Sequence, residues 1–308
     1  MTLHDDARQA LDALAVGGVA ALGRLLRRAE EEPAFADALG RLLGPRHGTT
    51  RRVGITGPAG VGKSTLTAAL TRSVRAEGRR VAILAVDPSS PRSGGALLGD
   101  RLRFGALAAA EGVFLRSLAT RGETGGLSAS VEISCRVLEA AGFDVVFIET
   151  VGVGQDEVEV ADLADVVVVV QAPGLGDDVQ AMKAGLLEIA DVLVVNKADR
   201  DGAARAAAEL QAIRRWTGAA ATPVLQTTAT RGAGVDELWD VVRTLEPARD
   251  APEAARRALI RRAARMVERA LRERWRRAGA PAASVDDESL RAEVLEALAG
   301  SVAPEGTR

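Results

Sequence analysis

Apolar residues along this chain fall into short unbroken runs separated by longer stretches with helical spacing. The short runs mark strands over residues 53–56, 81–86, 145–149, 166–170, 192–195 and 224–227, and a weaker one over 113–116. Runs of this length with little polar alternation predict strands buried on both faces, as in a parallel sheet. The stretches between them predict helices over 63–77, 128–141, 177–189, 203–216 and 234–245. Strands alternating with helices give an α/β fold, a mostly parallel sheet covered by helices on both faces.

Both ends depart from this rhythm. Over 7–44, Leu11, Leu14, Leu22, Leu25 and Leu26 recur near helical spacing, followed by Arg27, Arg28 and the acidic run 30–32. Pro33 is placed to start a second helix carrying Leu39, Leu42 and Leu43, and Gly44-Pro45 to end it. After Glu246-Pro247, residues 253–278 form an arginine-rich pattern with Ile260, Ala263, Ala264, Val267, Leu271 and Trp275 on one side. A last helix is expected over 286–299, with Ser284 as a candidate cap before an acidic first turn. The expected organisation is a helical extension over 1–50, a central domain over 51–247 and a helical extension over 248–308.

The turn after the first strand carries the clearest chemistry. Gly57-Pro58-Ala59-Gly60-Val61-Gly62-Lys63-Ser64 matches the complete phosphate-loop pattern, between a strand and a helix as the pattern requires. Its glycines let the backbone wrap phosphate oxygens with the N–H groups turned inward, and the following helix adds its positive end. Lys63 is assigned to the β and γ phosphates, Ser64 to Mg²⁺, and Thr65 to an α phosphate. A glycine-rich turn matching by chance is the plain alternative, and the strand–loop–helix context argues against it. The fold is therefore a P-loop NTPase.

Which base is bound must be read elsewhere. Asn196-Lys197-Ala198-Asp199 follows the apolar strand 192–195. The Asp199 carboxylate can accept two hydrogen bonds from guanine N1 and its exocyclic amine, a donor pair adenine lacks. Asn196 can reach the N7 and O6 side of the ring, and Lys197 can lay its stem over it. Thr228 and Ala229 end the next strand, where a backbone N–H is placed to support the contact to guanine O6. Such residues also make ordinary capped turns, so guanine rests on finding the motif downstream of a full phosphate loop.

Asp87 and Glu149 close two strands at their carboxyl ends, where doubly wound sheets place their sites. With Ser64 they offer the hard oxygen donors that Mg²⁺ takes, directly or through water. Gly152 is placed to donate its N–H toward a γ phosphate, and Gln155 and Asp156 are two candidates for orienting the attacking water. Asp100, in a glycine- and arginine-rich stretch over 92–124, is a candidate for the metal or its water. Arg101 and Arg121 are candidates for phosphate or a partner, with a solvated surface position the plain alternative. Gln171-Ala172-Pro173-Gly174-Leu175-Gly176 leads from a strand toward a helix bearing Lys183, and reads as a further switch.

Composition narrows the classes. Net charge is −2 and aromatics are 3% with no Tyr, so neither electrostatics nor stacking platforms favour nucleic acid. The longest apolar runs are strand-sized and none has the length of a membrane span. The start, Thr2-Leu3-His4-Asp5-Asp6, lacks a basic stretch followed by an apolar one, so no signal peptide and a cytoplasmic location are expected. One cysteine, Cys135, among Val131, Ile133, Val137 and Leu138, is expected in the core. His4 and His47 have no ligand set around them.

The combination resembles the MeaB/ArgK-like G proteins, bacterial relatives of the human methylmalonic aciduria type A protein. The matching pieces are the phosphate loop, Asp87-Pro88-Ser89-Ser90, Gly94-Gly95-Ala96-Leu97-Leu98-Gly99-Asp100-Arg101, Thr120-Arg121-Gly122 and Gly125-Gly126-Leu127-Ser128. Glu149-Thr150-Val151-Gly152-Val153-Gly154-Gln155, Pro173-Gly174, Gly176-Asp177-Asp178 and the Asn196 to Asp199 motif complete them. The likeness is strong over 52–245 and looser at the ends. It implies a SIMIBI-like G domain that hydrolyses GTP to GDP and forms homodimers partly through C-terminal helices. It further implies a chaperone role on an adenosylcobalamin-dependent acyl-CoA mutase, usually methylmalonyl-CoA mutase. Cobalamin is then carried by the mutase and its adenosyltransferase, not by this chain. By the same resemblance residues 149–157 are a switch, and 172–184 a second one touching the mutase. The chain departs from the family at Phe104-Gly105-Ala106-Leu107-Ala108, at Glu123-Thr124, at Asp156 where Ser is usual, and after Ser284.

Other readings are a GTPase delivering a metal such as nickel, a small-molecule kinase, and a nucleic-acid binder using the arginine helix. Two histidines and one cysteine are sparse for metal delivery. The Asn196 to Asp199 motif argues against a kinase, and the apolar stripe of 253–278 favours helix packing over nucleic acid.

Overall fold

A computed structural model describes residues 2–44, 50–87, 104–119, 126–150, 163–174, 189–216 and 222–245. Met1–Ala248 form one compact unit and Arg249–Arg308 another. The second unit, with the expected helices 253–278 and 286–299, lies outside the described residues, as do 177–188 and His47.

Among the described residues of the first unit the elements are α1 (Leu3–Asp12), α2 (Leu14–Glu31), α3 (Pro33–Leu43), β1 (Arg51–Thr56), α4 (Lys63–Ala76), β2 (Val81–Asp87), a 3₁₀ turn (Gly105–Ala109) and β3 (Val113–Ala119). After them come α5 (Gly126–Ala140), β4 (Val145–Thr150), β5 (Val166–Gln171), β6 (Val192–Asn196), α6 (Ala203–Trp216), β7 (Val224–Thr227) and α7 (Val235–Thr244). The seven strands lie in the order β3-β2-β4-β1-β5-β6-β7, and every pairing among them is parallel.

The unbroken apolar runs follow from this arrangement. Every residue of β4, β5 and β6 is buried, since helices cover both faces. On one face Val53, Ile55, Val166, Val168, Val192 and Val194 pack with Leu66 and Leu70 of α4 and Leu238 and Trp239 of α7. On the other, Leu84, Val146 and Ile148 pack with Val137 and Leu138 of α5 and Leu22, Leu26, Phe35 and Leu39 of the N-terminal helices. Further along that sheet, Val167, Val169, Leu193 and Val195 pack with Ala203, Ala207 and Leu210 of α6. Cys135 is buried.

The structure departs from the sequence pattern at several points, and the stretch expected as one helix before Pro33 is two, α1 and α2. Helix starts at Leu3 rather than residue 7, because Thr2 and Asp5 form a capping box: the Asp5 N–H donates to Thr2 Oγ1 at 3.2 Å and the Thr2 N–H to Asp5 Oδ2 at 3.0 Å. Helix α2 is bent where Gly18 takes φ 56°, which the leucine spacing does not reveal. Strand β3 continues past Arg116 to Ala119, in register with Asp87 at the end of β2. Arg116 interrupts the apolar run yet stays in the strand, paired at 2.5 Å with Glu30 of α2.

Candidate functional site

The carboxyl ends of β1, β4, β5, β6 and β7 meet around the turn between β1 and α4. Gly57, Gly60 and Gly62 of that turn have φ of 139°, 79° and 94°. A Cβ on Gly57 would lie 2.1 Å from the Val170 carbonyl oxygen in β5, and one on Gly62 would lie 2.6 Å from Asn196 Nδ2. Glycine at these two positions lets the loop lie against its neighbours. Gly62 caps α4 without a side-chain acceptor, and the first turn of the helix carries no acidic residue. Its leading N–H groups are thus compatible with an anion. Ala59, Gly60 and Thr65 are exposed on the rim, and Val61 is buried beneath it. Lys63 is buried, its ammonium donating to the Gly57 carbonyl at 2.7 Å and the Pro58 carbonyl at 2.9 Å.

At the metal end, Ser64 Oγ donates to Glu149 Oε1 at 2.5 Å. Parallel pairing sets Ile55 beside Glu149, and the Thr150 hydroxyl donates to Thr56 Oγ1 at 3.0 Å. These contacts fix the strand ends under the phosphate loop. Asp87 closes β2, whose Val86 pairs with Thr150, so its backbone stands at the same edge. A hydroxyl and a buried carboxylate in contact are hard oxygen donors of the kind Mg²⁺ takes. Asp100, Arg101, Arg121, Gly152, Gln155, Asp156 and Lys183 lie outside the described residues.

At the carboxyl end of β6, Asn196 is buried and joins three loops. Its Nδ2 donates to the Val61 carbonyl at 2.9 Å, and its Oδ1 accepts from Thr227 Oγ1 and the Ala229 N–H, both at 3.1 Å. One amide hydrogen remains for a ligand. Lys197 holds φ 58°, and its ammonium donates to the Gly60 carbonyl at 2.6 Å, so its stem runs between the base end and the phosphate loop. The Ala198 N–H donates to the Thr227 carbonyl at 3.0 Å, which fixes the backbone next to the exposed Asp199. The backbone contact expected from Thr228 or Ala229 to guanine is differently used here. The Thr228 N–H donates to the Ala233 carbonyl at 2.9 Å and the Ala229 N–H serves Asn196.

Two features had no sequence signal. The Thr56–Thr150 hydrogen bond joins residues far apart in the chain. Arg231 lies 3.3 Å from Asp199, and nothing local distinguishes it from any other surface arginine.

The family model described as methylmalonyl Co-A mutase-associated GTPase MeaB matches residues 22–280. A relative from Pyrococcus horikoshii is 46% identical over 239 residues, 76% of this chain and 75% of that one. The Escherichia coli GTPase ArgK is 42% identical over 205 residues, 64% of this chain and 62% of ArgK. The mouse mitochondrial methylmalonic aciduria type A homolog is 39% identical over 204 residues, 64% of this chain and 49% of its own length. Among solved structures, the crystal structure of an LAO/AO transport system kinase superposes with a TM-score of 0.65 at 29% identity, over 97% of this chain and 93% of that one.

Proposed function

The chain belongs to the methylmalonyl Co-A mutase-associated GTPase family MeaB, and we propose that its GTP hydrolysis times the loading and protection of an adenosylcobalamin-dependent acyl-CoA mutase, methylmalonyl-CoA mutase being the first candidate. The chain is a P-loop GTPase with a SIMIBI-like G domain. Membership of this family implies a role partnering an acyl-CoA mutase. The chain is proposed to act on that mutase as a homodimer. Among the described residues no helix is long and apolar enough to cross a membrane.

The observation that carries the reading is the Asn196 side chain, which joins the base-reading loop to Val61 in the phosphate loop. A nucleotide held at its base and its phosphates then bears on one hydrogen-bonded unit. In the reaction, water attacks the γ phosphorus, the bond to the β–γ bridging oxygen breaks, and GDP leaves with that electron pair. The water's protons end on phosphate and solvent. Lys63 and the loop N–H groups hold the charge that develops on the phosphate oxygens. Ser64, Asp87 and Glu149 form the proposed Mg²⁺ set, with Asp100 a further candidate. Bound there, Mg²⁺ would neutralise β and γ phosphate oxygens. Gly152 is proposed to donate to the γ phosphate, and Gln155 or Asp156 to orient the water.

The test is a capture experiment from the native cell with the full chain, loaded with GDP or with a non-hydrolysable GTP analogue. Retention of an acyl-CoA mutase that depends on the nucleotide is expected, and the purified pair should reproduce it. Recovery of a nickel enzyme instead would overturn this reading in favour of metal delivery. The Lys63→Ala variant should lose hydrolysis by about a hundredfold or more, and near-normal turnover would remove Lys63 from the phosphate role.

A further inference from the structure

We infer that Arg231 is a positioning residue for guanine recognition, orienting the Asp199 carboxylate while leaving it open to the base. The inference rests on the reading of Asp199 as the guanine acceptor.

Arg231 sits in a closed turn after β7. Its N–H donates to the Thr228 carbonyl at 2.9 Å, and the Thr228 N–H donates to the Ala233 carbonyl at 2.9 Å. Gly232 and Gly234, with φ of 74° and 72°, allow the chain to return, and a Cβ on Gly234 would lie 2.2 Å from the Gln226 carbonyl oxygen. The same turn supplies the Ala229 N–H that holds Asn196. The Arg231 backbone is therefore fixed relative to the base-reading loop, and only its side chain has freedom.

The ion pair brings Arg231 Nη2 to 3.3 Å from Asp199 Oδ2, without a two-pronged hydrogen-bonded geometry. A two-pronged guanidinium pair would cover both carboxylate oxygens and compete with the base. A single contact does not. A carboxylate offers about four acceptor positions, and guanine N1–H and its amine need two of them. Arg231 and guanine can share Asp199.

Arg231 and Asp199 side chains are 71% and 32% exposed. A pair so open to water adds little to the stability of the empty protein. A base covering Asp199 removes water from the pair, and the attraction grows as the local dielectric falls. The effect of Arg231 is thus felt in nucleotide affinity rather than in the stability of the free fold.

The experiment compares the full-length wild type with Arg231→Met, Arg231→Lys, Asp199→Asn and the Arg231→Met/Asp199→Asn double variant. Affinities for GDP and XDP are measured alongside thermal midpoints without nucleotide. Arg231→Met should weaken GDP about three- to tenfold with an unchanged midpoint, and Arg231→Lys should recover most of the loss. In the Asp199→Asn background, which should favour XDP, adding Arg231→Met should leave XDP affinity unchanged, because the charge it acts on is gone. Unchanged GDP affinity in Arg231→Met overturns the inference, and so does an equal loss of XDP affinity when Arg231→Met is added to Asp199→Asn. Failure of Asp199→Asn alone to shift preference from GDP to XDP would remove the premise. That result is read with Arg231 intact, so the two failures are distinguishable.

Discussion

The Asn196 side chain, set at the carboxyl end of β6, donates to the carbonyl of Val61 in the phosphate loop at 2.9 Å. The loops after β1, β6 and β7 are thereby joined through one buried amide. Its oxygen is also satisfied, by Thr227 Oγ1 and the Ala229 N–H. Removing it leaves a carbonyl and an N–H under the site without this partner. Asn196→Ala should therefore cost about 2–4 kcal/mol of stability, measured by denaturant unfolding. GDP affinity should fall further than that of a variant altered in Asp199 alone, because both halves of the site lose their alignment. An unfolding midpoint equal to wild type would show that the joint carries no load.

The phosphate loop makes a graded prediction about its glycines. A Cβ on Gly57 would lie 2.1 Å from the Val170 carbonyl oxygen, a backbone atom of the central sheet, and Gly57 has φ 139°. Gly60 has φ 79° with nothing within 4 Å of the position a Cβ would take. Gly60→Ala meets only conformational strain, about 1–2 kcal/mol. Gly57→Ala adds a clash that the β1–β5 pairing must absorb, for a total of about 3–5 kcal/mol. Thermal unfolding of the two variants side by side checks the order, and equal losses would contradict it.

How much of this was legible in the sequence depends on where each cause lies. Strands β4, β5 and β6 read directly as apolar runs, because burial on both faces leaves no polar position before their carboxyl ends at Glu149, Gln171 and Asn196. Strand β3 read short at Arg116, since the partner that keeps that arginine in the sheet, Glu30, belongs to a helix far back in the chain. The early start of α1 was available in Thr2 and Asp5, whose spacing spells a capping box, although the leucine pattern begins further in. The phosphate loop and the Asn196 to Asp199 segment were legible as motifs because their chemistry demands fixed local spacing. The partners of Asn196 were not, since Val61, Thr227 and Ala229 come together only when β1, β6 and β7 are aligned. Arg231 was invisible for the same reason: its meaning depends on Asp199, and local sequence holds no trace of that contact.

The hydroxyl of Ser64 donates to Glu149 Oε1 at 2.5 Å, and the carboxylate is buried at the end of β4. The contact separates two roles that one substitution can tell apart. Glu149→Gln keeps the size and an oxygen that can accept from Ser64, and it removes the charge. If Glu149 serves the fold alone, the variant should behave as wild type. If it serves Mg²⁺, the Mg²⁺ concentration needed for half-maximal hydrolysis should rise by about tenfold or more, and GDP binding in the presence of a chelator should stay the same. Ser64→Ala should raise the Mg²⁺ requirement in the same direction while leaving Glu149 charged, so both variants move one titration curve from two sides. The measurement is a Mg²⁺ titration of GTP turnover with a parallel GDP-binding series. Unchanged Mg²⁺ dependence in Glu149→Gln would leave the carboxylate with a structural role, as the acceptor that holds the first turn of α4 to the end of β4.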